Sequence, residues 1–117
     1  MRKMLAVGFL ALAPAVWAAD VTGKWVGDMA LNGGAAMSAC VHLKQDGATL
    51  AGTEGPSEEN QFPITRGRIE GEVVTIEAQP GPAVLRMTMK LADGKLTGEV
   101  FEDDRKIGTV SLRRANP

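Results

Sequence analysis

From residue 23 onward the chain alternates apolar and polar positions with a period of two. Trp25, Met29 and Leu31 share a phase, with Gly27 between them. Met37, Ala39, Val41 and Leu43 alternate with Ser38, Cys40, His42 and Lys44. Leu85, Met87, Met89 and Leu91 alternate with Arg86, Thr88 and Lys90, and Val110 and Leu112 with Thr109 and Ser111. Such alternation marks strands with one buried and one wet face. Turn residues punctuate the runs: Asn32-Gly33-Gly34, Gln45-Asp46-Gly47, Gly71-Glu72, Pro80-Gly81-Pro82, Asp93-Gly94 and Asp103-Asp104. Glycine supplies positive φ and Asn or Asp tolerates it, as tight hairpins require. One longer polar link, 55–61, carries Pro56. No interval keeps a helical period. The pattern predicts eight strands, roughly 23–31, 37–44, 49–54, 62–68, 72–78, 83–91, 95–102 and 107–114.

Asp46-Gly47-Ala48-Thr49-Leu50-Ala51-Gly52 resembles Asp93-Gly94-Lys95-Leu96-Thr97-Gly98, a turn followed by Leu-x-Gly. Gly52 and Gly98 then lie in mid-strand, where glycine permits the bend of a small barrel. The apolar phase slips between Ile64 and Ile69, and a bulge at Gly67 accounts for the slip. Eight short strands joined by hairpins suit an all-β, antiparallel up-and-down meander closed into a barrel, because closure removes both free edges. An open β-sandwich is the alternative. The inward set is Trp25, Met29, Leu31, Met37, Val41, Leu43, Leu50, Ile64, Ile76, Leu85, Met87, Met89, Leu96, Val100 and Leu112, with nothing polar interrupting it.

The N-terminus follows another rule. Arg2 and Lys3 precede an uncharged apolar run at 4–13, Pro14 breaks it, and Val16-Trp17-Ala18 fits the −3 to −1 positions of a cleavage site. Residues 1–18 therefore read as a signal peptide, and 19–117 as a single exported domain, periplasmic or secreted. The run is shorter than the ~20 apolar residues a spanning helix needs. Thirteen basic residues against fourteen acidic ones give a formal charge of −1, which leaves no footprint for nucleic acid. With one cysteine, one histidine and no tyrosine, the chain can form no internal disulfide and few metal or histidine-dependent sites. No phosphate loop, nucleophile elbow or helical zinc pattern occurs. The expectation is a non-enzyme without a cofactor.

Thr22-Gly23-Lys24-Trp25-Val26-Gly27 opens the first strand and Leu112-Arg113-Arg114 closes the last. The Gly23-Lys24-Trp25 triplet resembles the Gly-x-Trp motif of the lipocalin/calycin superfamily. That resemblance implies an arginine packed over the tryptophan at the barrel floor: Arg114, in phase with Val110 and Leu112, or Arg113 if the strand slips. Both Trp25 and Arg114 are then structural. The mature chain also resembles small exported bacterial proteins of unassigned role, which repeat Asp-Gly-x-Leu-x-Gly hairpins. The resemblance implies a binding barrel.

Two sets of residues could carry chemistry. Met29, Met37, Met87 and Met89 share the inward phase, and flexible thioethers adapt either to an apolar guest or to gaps in a filled core. Cys40 and His42 share the outward face, and pairing of strands one and two across Asn32-Gly33-Gly34 brings Asp28 near Cys40 or one rung away. Cys, His and Asp can support a thiol nucleophile or ligate zinc, although a convex wall offers neither pocket nor oxyanion donors. The cluster 102–106 reads as a solvated hairpin tip, as do Glu58 and Glu59. Three function classes follow: a barrel holding a small apolar molecule, a filled barrel acting through its surface as inhibitor or assembly module, and a surface thiol or metal site. Exported metalloprotease inhibitors share the barrel class and a cysteine-bearing second strand like Cys40-Val41-His42-Leu43, but depend on a disulfide partner that this chain lacks.

Overall fold

A computed structural model describes residues 19–115, so the leader at 1–18 lies outside the described residues. Eight strands follow in order: β1 Gly23–Leu31, β2 Ala36–Asp46, β3 Thr49–Ser57, β4 Asn60–Glu70, β5 Val73–Ala78, β6 Leu85–Ala92, β7 Lys95–Glu102 and β8 Arg105–Arg114. Each pairs antiparallel with the next, and β8 returns to β1, giving a closed meander barrel. Closure pairs Trp25 with Arg114 and Leu31 with Gly108. The open sandwich is thereby excluded.

The turns behave as their composition predicts. Asp93 and Gly94 both take positive φ, 53° and 75°, as do Asp103 and Asp104, at 48° and 67°. Two consecutive left-handed residues make the hairpin turn whose twist matches the strands on either side. Asp103 also accepts a 2.9 Å hydrogen bond from the Val84 backbone N–H, and Asp104 pairs with Arg86 at 2.6 Å. The hairpin tip at 102–106 is thus tied to β6 rather than merely solvated.

Two sequence expectations are corrected. The 55–61 link is instead the end of β3, a tight turn at Glu58-Glu59 and the start of β4; Ser57 pairs with Asn60. Pro56 sits beyond the last β2 pair, Cys40 with Gly55, where no N–H is needed for that ladder. The phase slip falls at Thr65, not Gly67. Ile64 pairs with Ala78 and Arg66 with Glu77, leaving Thr65 as the extra residue; its hydroxyl donates to the Glu77 carbonyl at 3.2 Å. Gly67 then faces inward opposite Ile76.

Gly52 and Gly98 hold equivalent places after Leu50 and Leu96. A Cβ on Gly52 would fall on the His42 carbonyl oxygen, and one on Gly98 on the Thr88 carbonyl oxygen. Neighbouring backbone therefore passes too close for any side chain, as a tightly curved wall demands.

The core lies at the end where Trp25 sits. Trp25 is 0 % exposed, with Leu43, Leu50, Ile69, Val74, Met89, Leu96 and Leu112 buried in the same cluster. The Arg114 guanidinium lies 4.5 Å from the Trp25 ring centre, a cation–π distance. Arg114 also donates to the carbonyls of Thr22, at 2.9 Å, and Asp20, at 2.6 Å. The Trp25 indole N–H donates to the Val21 carbonyl at 2.9 Å, and Val21 N–H donates to Gln45 Oε1 at 2.9 Å. The segment before β1 is thus laced across the barrel end and plugs it. Gly23, at φ 136°, leaves room for the arginine: a Cβ there would stand 3.3 Å from its Nη1.

Trp25→Ala empties this plug. A loss of about 3–5 kcal/mol in denaturant melts is expected, the usual scale for truncating a buried large aromatic. A loss below about 1 kcal/mol would show that the plug contributes little to stability.

Candidate functional site

The inward phase does not pack uniformly. Below, it is filled. At the opposite end, where Met29, Leu31, Leu85 and Ile107 are only partly buried, the walls part around a cavity of about 190 Å³. Its lining is mostly apolar and includes Met29, Leu31, Met37, Phe62, Leu85 and Ile107. The four candidate methionines therefore divide. Met29 and Met37 pair across β1 and β2 and line the chamber. Met87 and Met89 are 1 % exposed, belong to the packed core and do not line it. Met37 is 48 % exposed, so it stands at the mouth rather than in the core.

An acid breaks the inward phase that the sequence pattern presents as wholly apolar. Glu54 is 3 % exposed and is the buried charged side chain among the described residues. It lies between Val41 and Phe62 in the register, both inward. It lines the chamber together with Glu102. Among the described residues, no protein donor bonds to the Glu54 carboxyl, and burial pushes its pKa above the ordinary carboxylate range. Its phase with Leu50 was the signal in the sequence; ending strand three at residue 54, before a supposed loop, hid it.

Outside the barrel, Cys40 and His42 share a face as their spacing requires, with Sγ 3.8 Å from Nε2. The carboxylate that joins them is Glu58, not Asp28. Glu58 Oε1 lies 2.8 Å from His42 Nε2, and its other oxygen contacts the Lys24 ammonium. Asp28 pairs with Ser38 and Ser111, two pairs along from Val26–Cys40. Cys40 is not exposed as its outward phase suggests: it is 5 % exposed beneath the turn that carries Glu58. The wall is also not simply convex here, since a shallow depression of about 320 Å³ runs past Lys24, Asp28, Cys40 and Glu58.

The electrostatics of this cluster oppose thiol catalysis. Burial, seconded by the Glu58 charge, raises the Cys40 pKa, so the thiol stays protonated. Hydrogen bonds from Lys24 and His42 hold Glu58 below its ordinary value, and Glu58 in turn raises Lys24. The donor atoms of Cys40, His42 and Glu58 lie within 4.8 Å of one another, a set zinc can accept. Lys24 already supplies the positive charge that a metal would bring. The arrangement acts as a clamp that pins the β3–β4 turn onto β1 and β2.

Known proteins bear on the fold. Among solved structures, the chain is similar to a mutant form of the fluorescent protein UnaG, with 17 % identity and a TM-score of 0.50, over 83 % of this chain and 97 % of that one. The fold is a calycin-like barrel. No protein-family model matches the chain, and no curated protein matches its sequence. No helix long and apolar enough to cross a membrane occurs among the described residues.

Glu54 makes a stability prediction. A carboxyl whose folded pKa exceeds its unfolded one binds protons more tightly when folded, so stability is kept at acid pH and lost as pH rises through the folded pKa. Glu54→Gln removes that loss. It should be more stable than the parent at neutral pH, because the amide carries no charge to be desolvated; each unit by which burial raises the carboxyl pKa is worth about 1.4 kcal/mol. The gap should close as pH falls into the ordinary carboxylate range. A gap that widens in acid would mean that Glu54 is paired in the fold.

Proposed function

We propose that this protein is a binding barrel that holds one small apolar molecule in the chamber opposite Trp25. The observation that carries this reading is the unequal filling of one continuous interior. The plugged end is packed, while the other keeps an apolar chamber of about 190 Å³. An empty apolar cavity of ~150 Å³ suffices for a benzene-sized guest, so the volume fits a single ring or short alkyl chain. Met29 and Met37 at the chamber and its mouth supply adaptable walls. The calycin-like fold is compatible with this use, since a barrel of eight strands has room for one small ligand. We further propose, from Arg2, Lys3 and the apolar run ending at Ala18, that the barrel works after export and removal of its leader.

The test is a calorimetric titration with toluene as an uncharged single-ring probe. Saturable binding at one site is expected. Met29→Trp, which fills the chamber, should abolish it. Met87→Leu, a volume-conserving change in the packed core, should leave it unaltered. Equal binding by parent and Met29→Trp would place the probe elsewhere and overturn the reading.

A further inference from the structure

Glu54 is a destabilising residue with no structural employment. A carboxyl buried in an apolar wall loses its hydration, and folded proteins normally compensate such a group with a partner. Among the described residues, the Glu54 carboxyl bonds to no donor on β2 or β4, so the side chain ties no strands together. Valine or leucine at this position would continue the phase of Val41 and Leu50 without that penalty. The residue therefore gives up stability for something that the described residues do not supply.

The chamber restricts what that something is. Among the described residues its lining holds two carboxylic acids, Glu54 and Glu102, and no lysine, arginine or histidine. Glu102 is only partly buried, so it keeps water, and it lies opposite Arg105 in the β7–β8 register. Glu54 has Val41 and Phe62. The unmatched acid of the chamber is thus Glu54. A guest carrying a carboxylate would meet two acids and no base. A neutral hydroxyl could share one ordinary hydrogen bond. An ammonium group could donate a charge-assisted bond, which is roughly twice as strong and matches the missing charge.

We propose that the chamber is selective for small monoamines, an alkyl or aryl group against Met29, Leu31 and Leu85 with its ammonium bonded to Glu54. This rests on the reading of the chamber as a binding site and adds the headgroup to it. The amine arrives protonated, Glu54 is ionised in the complex, and any proton that Glu54 carried beforehand passes to solvent.

Calorimetric titration of the parent protein with octylamine, octanol and octanoate separates headgroup from chain. Octylamine should bind at least about tenfold more tightly than octanol, and octanoate more weakly than both. Glu54→Gln should bring octylamine to within about threefold of octanol, both measured on that variant. Octanol equal to octylamine on the parent, or undiminished octylamine binding by Glu54→Gln, overturns the amine assignment and leaves the chamber as a plain apolar site. Failure of all three to bind overturns the chamber itself. The order of headgroups on the parent is decisive by itself should Glu54→Gln not fold.

Discussion

The barrel depends on the contact between Arg114 and Trp25. These two residues pair across β8 and β1, the seam where the meander closes. The arginine covers the indole face and gathers the carbonyls of Asp20 and Thr22. One side chain from the last strand thus fixes both the seam and the segment before the first strand. A cation over an aromatic ring is worth about 0.5–1 kcal/mol at exposed sites and more when desolvated. Its larger effect here is geometric: with Val21 seated beneath it, the lower mouth of the barrel is shut, and the side chains above can pack against a defined base.

That plug sets the gradient of the interior. Near it, Leu96, Leu112, Val74 and Met89 fill the space between walls drawn close at Gly52 and Gly98. Away from it no described residue closes the barrel, and the walls end on Met37 and the turns. The same strands therefore yield a packed half and a chambered half. Glu54 lies on β3, two residues beyond Gly52 and past the extent of the packed half. Its burial without a partner among the described residues is offset by the packing of the rest of the core.

Much of this architecture was legible from period-two alternation and turn chemistry. Sequential strand order follows from short hairpins such as Asp93-Gly94, whereas closure, against an open sandwich, is settled only by the pairing of β8 with β1. What escaped was non-local. Gly55, Pro56 and the two acids after Ser57 look like a loop, yet β3 runs through Ser57 because β4 pairs back across a tight turn. The position of Glu58 over His42 depends on where that turn lands, which no alternation reports. Asp28 was the nearer acid in sequence, but the register sets it opposite Ser38. Glu54 was hidden differently: its phase pointed inward, but its chemistry suggested the strand had ended. Met87 and Met89 were indistinguishable from Met29 by phase, since phase gives the face of a strand and not the depth along the barrel axis.

The division of the interior is tested most directly by its own methionines. Methyl resonances of 13C-methyl-labelled methionine, followed by NMR during titration with a small apolar molecule, report on both halves at once. The account predicts that the methyls of Met29 and Met37 shift on saturation while those of Met87 and Met89 stay in place. Shifts confined to Met87 and Met89, or no shift at any of the four, would contradict it.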